Sequence, residues 1–401
     1  MSAAASGGRF RRGAGRVLKY VLVAAGGGVG VLGVASAGLY VWNRVAVSRY
    51  RADSGGRELC RLVPTPDGGV LAARVAVDGG GSIGGGGAAP SPLTVLVECG
   101  LGGAQAEWWV LADALTAHYS GSVRVITYDR RGHGFSSDVP PPPPGADAGA
   151  ALAQLLVRDA AALVDALAPP GDGLVLVGHH FGAPLAVALA AALPPGRVRG
   201  AAFVDPLCDA RAWAAEAGAD GAPLGVKPGE KCFLENVLTA MEYAAVSGWT
   251  RVRGMLSVPV LDPVAAWVLE EACDARNWAA AGAELAAAPA AFDSLGGARA
   301  GFPRDARTVV LYHGILDERG VLHPGALDAV SRYEHVRWQA LMPAWASLGA
   351  CTEVVVGSRA AAHMPGLTAV DDPAFVTREL VALIDRVRAT SPAAPGKRKG
   401  K

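Results

Sequence analysis

Leu174–Pro184, LVLVGHHFGAP, constrains this chain more than any other stretch. A run of Leu and Val stops at Gly178. His179, His180 and Phe181 lead to Gly182, and an Ala-rich segment carrying Leu185, Val187 and Leu189 follows. The run reads as a buried strand, the glycine-flanked segment as a sharp turn and the remainder as a helix. So tight a strand-to-helix turn crowds the backbone and raises one side chain off the strand end, and glycines on either side relieve the crowding. The raised position is His180, and His is among the non-glycine residues that tolerate positive φ.

The rest of the chain alternates in the same way. Arg57–Val77 reads as a hairpin around the turn Pro64–Gly69. Strands are expected at Leu93–Val97, Val123–Tyr128, Val198–Val204, Thr308–His313 and Thr352–Val356. Helical patterns lie between them: through Trp108 to His118, at Ala150–Leu167, at Tyr333–Leu348 and in the closing stretch Pro373–Val387. Such alternation specifies an α/β architecture with a mostly parallel sheet. Leu207–Arg307 breaks the rhythm with Ala-rich helical sequence dotted with Trp213, Trp249, Trp267 and Trp278. It reads as a cap over the sheet edge, or as a helical layer of the same core. Gly79–Pro92 is a Gly-rich loop without a functional pattern.

The ends differ from the middle. Met1–Lys19 is basic, with no acidic residue, and Tyr20–Trp42 is 23 residues without a charge, the length of a membrane-spanning helix. Tyr20, Tyr40 and Trp42 sit where an aromatic belt belongs, and Gly26 and Gly30 form a small-xxx-small pair. A single-pass anchor is expected here; a cleaved organellar targeting segment is the other reading. Basic residues on both sides leave orientation and membrane open. The expected organisation is therefore 1–19 basic segment, 20–42 anchor, 53–390 catalytic-type domain with the cap at about 207–307, and 391–401 basic disordered tail. A formal net charge of +1 argues against a nucleic-acid footprint. Six cysteines, Cys60, Cys99, Cys208, Cys232, Cys273 and Cys351, show no C-x-x-C spacing and read as buried free thiols rather than as disulfides or a zinc site. No cofactor is expected.

Four stretches in order carry a family resemblance: Val95–Trp109 (VLVECGLGGAQAEWW), Val125–Ser136 (VITYDRRGHGFS), Leu176–Gly182 (LVGHHFG) and Val204-Asp205-Pro206. Together they resemble the esterase/lipase-like branch of the α/β-hydrolase superfamily over roughly Glu58 to Val387. The resemblance implies an eight-stranded, mostly parallel sheet flanked by helices, with a helical cap inserted between strands 6 and 7. It places a catalytic triad at His180, Asp317 and His363, with Asp205 as the alternative acid. It makes the backbone N–H groups of Leu101 and Phe181 the oxyanion donors. Asp129, Arg130 and His133 read as loop braces.

The family's raised residue is serine, in Gly-x-Ser-x-Gly, and no serine occurs from Asp138 to Val246. With His180 there, the serine-hydrolase mechanism cannot run unchanged. An imidazole can attack activated esters, but it is bulkier than a hydroxymethyl group. The expectation is a membrane-anchored protein of serine-esterase ancestry acting on, or binding, a hydrophobic acyl or ester small molecule. The alternatives are a pseudo-hydrolase that binds a ligand or partner, a two-His-one-carboxylate metal site formed with His363, Cys208 as a substitute nucleophile, and an ordinary serine hydrolase in which residue 180 is a sequence error or allele.

Overall fold

The computed structural model describes residues 37–52, 59–77, 93–206, 233–247, 269–313, 353–357 and 373–390, with isolated positions at 250, 345 and 347–349. Its strands are β1 (Arg61–Pro64), β2 (Val70–Ala76), β3 (Leu93–Glu98), β4 (Val123–Tyr128), β5 (Gly173–His179), β6 (Val198–Val204), β7 (Arg307–His313) and β8 (Glu353–Gly357). They form one eight-stranded sheet in the order β1-β2-β4-β3-β5-β6-β7-β8. The hairpin strands pair antiparallel with each other and with β4, and every other pairing is parallel.

Parallel sheets need cover on both faces, so their strands are apolar throughout. All seven residues of β5 are buried. Its side chains divide by the two-residue period: Leu174 and Leu176 enter one core, Val175 and Val177 the other. Phe203 and Val204 on β6 part in the same way.

The helices are α1 (37–52), α2 (Trp109–His118), α3 (Ala148–Leu167), α4 (Gly182–Ala192), α5 (Phe233–Ser247), α6 (Ala275–Gly301) and α7 (Pro373–Thr390). α3 starts where Asp147 caps it, accepting a hydrogen bond from the Ala150 N–H at 2.7 Å. It covers one face of the sheet with α4, and α2 and α7 cover the other. A short 3₁₀ turn at Gln105–Trp108 precedes α2 and takes Trp108 into the second core.

Two findings differ from the sequence reading. First, α6 is not confined to one role. It packs on α3, α4 and α5, and Ala287 and Ala288 belong to the main core. Its earlier turns instead lie on the loops after β3 and β4: a Cβ at Gly102 would be 3.0 Å from the Ala281 Cβ, and one at Gly132 2.5 Å from the Ala280 Cβ. One helix is thus both a cover for the strand-end loops and part of the core layer.

Second, the helix that opens within the expected span runs on past residue 42. Of the expected span Tyr20–Trp42, only 37–42 fall among the described residues, and they open a helix that continues to residue 52. Asn43 is buried in it and donates to the carbonyls of Ala245 (2.8 Å) and Cys273 (3.1 Å). Arg51 pairs with Asp274, and Tyr50 donates to Glu271 at 3.2 Å. The segment between the expected anchor and the domain is therefore docked on the helical region. No helix among the described residues is long and apolar enough to cross a membrane.

Leu176 is fully buried at the centre of the main core. Leu176→Ala is expected to destabilise the fold by about 2–5 kcal/mol, the usual loss for a core leucine. Chemical denaturation should show a lower midpoint with an unchanged slope.

Candidate active site

The turn at the end of β5 has the expected elbow geometry. His180 has φ +48°, a left-handed conformation. Its N–H donates to the Val204 carbonyl at 3.0 Å, and its carbonyl accepts from the Ala183 N–H at 3.1 Å. Both flanking glycines are sterically required. A Cβ at Gly178 would stand 2.5 Å from the Ala183 Cα. One at Gly182 would overlap the Glu98 carbonyl oxygen and lie 2.5 Å from that of Cys99. Phe181, fully buried, leads into α4 with φ −61°.

His180 itself is half-buried, whereas His179 is buried. The His179 ring meets Trp108 edge-on with centroids 5.7 Å apart. Gly100 lies against both: a Cβ there would be 2.8 Å from His179 Nδ1 and 3.5 Å from His180 Cβ. The loop after β3 is thus seated directly beside the raised residue. Gly100–Gly103 forms a tight turn closed by the Gly103 N–H to the Gly100 carbonyl at 3.1 Å, with Gly102 at φ +65°. Among the described residues, no protein group accepts a hydrogen bond from the N–H of Leu101 or Phe181.

Asp205 stands next in the sheet. His179 pairs with Val204 in register, so Asp205 follows β6 beside the elbow, with its N–H on the Leu311 carbonyl at 2.9 Å. It too is left-handed, at φ +41°. Asp317, His363 and Cys208 lie outside the described residues. The chain leaves β7 at His313 and β8 at Gly357, the same edge of the parallel sheet as the elbow. Among the described residues no group of three His, Cys, Asp or Glu could hold a metal ion. Cys60, Cys99 and Cys273 are buried and form no disulfide among the described residues.

The motif Asp129-Arg130-Arg131-Gly132-His133 supplies bracing, as expected of it. Asp129 is buried and accepts from the N–H (3.0 Å) and Nε2 (2.7 Å) of Gln105. Arg131 pairs with Asp159 at 2.7 Å and with Asp67. Arg130 is buried: its Nη1 donates to the Cys99 carbonyl (2.7 Å) and its Nη2 to that of Gly100 (2.5 Å). The guanidinium also grips Glu284 of α6, Nε to Oε1 at 2.6 Å and Nη2 to Oε2 at 2.9 Å. His133 Nε2 meets Glu284 Oε1 at 3.1 Å, and the Gly102 N–H donates to Oε2 at 3.3 Å. Burial alone would raise the Glu284 pKa; Arg130 and His133 outweigh it and hold the carboxyl at about 2.

Sequence reasoning did not single out Glu284. Its signal was present: it is the lone acid between Asp274 and Asp293 in an Ala-rich helix. Glu98 was also passed over. It is fully buried, and both carboxyl oxygens meet the Tyr128 hydroxyl, at 2.7 and 2.8 Å. Burial pushes its pKa from 4.5 up to about 7, against the opposing pull of Arg130 and Tyr128.

Two outcomes follow from these contacts. Gly182→Ala forces a Cβ into the β3 carbonyls and should destabilise the fold by about 1–3 kcal/mol or more, seen as a lower unfolding temperature. Glu98 has a folded pKa above its unfolded value, so its contribution is complete below about pH 4.5 and is lost as pH rises through about 7. The loss is on the order of 3 kcal/mol. Glu98→Gln should flatten that limb. Urea unfolding at pH 5 and pH 8 should show the variant losing less stability between the two than the parent.

The α/β-hydrolase fold family model matches residues 94–222, the stretch that runs from β3 past the elbow and Asp205. Among solved structures, a carboxylesterase of the ammonia-oxidising thaumarchaeon Nitrososphaera gargenis superposes with a TM-score of 0.51 at 15% identity, covering 82% of this chain and 100% of that one. The esterase EaEST of Exiguobacterium antarcticum is 14% identical with a TM-score of 0.48, covering 81% and 98%. The enol-lactonase of Burkholderia xenovorans LB400 is 16% identical with a TM-score of 0.48, covering 81% and 100%. No curated protein matches the chain. The strand order, the glycine-bounded elbow and the matched segment make this chain an α/β-hydrolase-fold protein.

Proposed function

We propose that this protein handles a hydrophobic acyl or ester small molecule at the elbow, with His180 in the position of the attacking residue. The observation that carries the reading is the seating of the left-handed His180 against the Gly100–Gly103 turn. In this reading a carbonyl carbon sits at His180 with its oxygen between the turn and the elbow, where the N–H groups of Leu101 and Phe181 serve as donors to the developing oxyanion. In this reading an imidazole nitrogen bonds to the carbonyl carbon. The ester C–O bond then breaks, the alcohol leaves with a proton, and water hydrolyses the labile acyl-imidazole. Asp317, or Asp205, and His363 complete the site as acid and base. The parallel arrangement of β5 to β8 supports this assignment: the chain leaves all four strands on one edge of the sheet, and His180, Asp205, Asp317 and His363 follow those strand ends in the sequence. The segment 207–307 acts as the cap that admits the substrate, and 20–42 as a membrane anchor. Tyr40, Val41 and Trp42, which end the uncharged stretch, and Val45 beyond Arg44 are exposed large apolar side chains on α1. They support a membrane-facing α1 as part of the reading.

Ester hydrolysis tests it. Short- and long-chain p-nitrophenyl esters are offered to the parent, His180→Ser, His180→Ala and His363→Ala. Activity in the parent that both alanine variants abolish is the expected result. A silent parent with an active His180→Ser would show a hydrolase scaffold whose nucleophile is gone, making ligand binding the retained function. Silence in every sample would sink the acyl-handling reading.

A further inference from the structure

The Gly100–Leu101 peptide is where the buried charges and the candidate site meet. In a trans peptide the carbonyl oxygen and the following N–H point in opposite directions. Whatever holds the Gly100 carbonyl therefore also aims the Leu101 N–H. Arg130 Nη2 holds that carbonyl at 2.5 Å, and Nη1 holds the preceding one, of Cys99, at 2.7 Å. The Gly102 N–H on the far side is held by Glu284 Oε2 at 3.3 Å. The turn is thus gripped before and after Leu101, while the Leu101 N–H is left for a ligand. The grip is rigid because the guanidinium is planar and forks onto Glu284 through two of its nitrogens. It is also shielded, since Arg130 and Glu284 are 1% and 2% exposed at their side chains.

We propose that Arg130 is a positioning residue for the oxyanion-binding peptide, and that Glu284 ties the aim of the Leu101 N–H to the seating of α6 over the site. The inference rests on the acyl-oxygen role assigned above to that N–H. Glu284 belongs to α6, whose Ala281 packs on Gly102 and whose Ala280 packs on Gly132. A shift of α6 pulls the carboxylate from Arg130 and Gly102 together, and the turn loses its grip on both sides. Movement of the helix that admits substrate and orientation of the oxyanion donor become one event. Arg130 Cζ also lies 5.6 Å from the centroid of the Phe181 ring, so the same guanidinium steadies the residue bearing the second donor.

The test is made in the full-length chain carrying His180→Ser. Arg130→Met alone strands a buried carboxylate, so the decisive variant is Arg130→Met with Glu284→Leu, which removes both charges. The expected result is a fall in kcat of about 10²-fold or more, the scale of losing one oxyanion donor, with KM changed by no more than a few-fold and cooperative unfolding retained. Arg130→Lys should fall between, because an ammonium cannot fork across both carbonyls and Glu284. A folded double variant with the kcat of its His180→Ser parent would overturn the proposal. Should His180→Ser hydrolyse no ester, the same double variant is compared in the His180 chain; should that chain be silent too, the acyl reading fails, and hydrogen exchange at Gly102 and Gly103 decides the positioning alone. Faster exchange of these two amides in the double variant supports it, and unchanged protection overturns it.

Discussion

Contact between β3 and the elbow is what the rest of the site depends on. β3 and β5 are neighbours in register, with Glu98 opposite Gly178. The chain must turn sharply out of β5 at once, because α4 has to pack back on the sheet. Only a position without a Cβ lets α4 start where it does, against the carbonyls of Glu98 and Cys99. That closeness fixes His180, brings Gly100 against it and leaves the residues that follow β6 beside both. A side chain in the left-handed region at His180 is strained in isolation; the hydrogen bonds at its N–H and carbonyl hold it there.

A second constraint is electrostatic. Arg130 and Glu284 are buried together with His133 beside them, so the desolvation of the guanidinium and of the carboxylate has to be offset by their partners. They are offset by forked hydrogen bonds and by backbone groups of the β3 loop. Such a cluster adds little stability over well-packed apolar residues, but it specifies one arrangement of loop and helix. Glu98 and Tyr128 lie close to the same cluster and answer to it: burial raises the carboxyl, and Arg130 pulls it down. The polar interior beneath the elbow is therefore one coupled system, with its charged members drawn from β3, the β4 loop and α6.

Much of the scaffold was legible in the residues. β4 and β6 lie where the pattern put them, and the other parallel strands differ by a residue or so at their ends. Apolar runs buried on both faces leave little freedom in strand placement, while helix ends depend on caps and on tertiary packing. α7 runs on to Thr390, and α3 starts at Ala148 because Asp147 caps it. The roles of Arg130 and His133 as braces were legible in kind but not in partner. Glu284 lies 154 residues from Arg130 in the chain, and nothing local to either says they meet. The uncharged N-terminal stretch hid the docking of α1 for a similar reason. Its anchor points, Ala245 and Cys273, offer main-chain carbonyls, and these leave no trace in residue identity.

By itself the sequence determined the turn. Gly178 and Gly182 around His180 permit a backbone path that residues with a Cβ forbid, and the Leu/Val run before them demands a strand covered on both sides. It also determined the chemical question, since an imidazole stands where the motif carries a hydroxyl. Only the tertiary structure decided which groups crowd that turn. Hydrogen bonds and ion pairs between distant segments form after the sheet has brought those segments together, and their energy depends on burial that no single segment possesses alone. The pairing of Arg130 with Glu284, and through it the link from α6 to the Leu101 peptide, exists only in the folded chain.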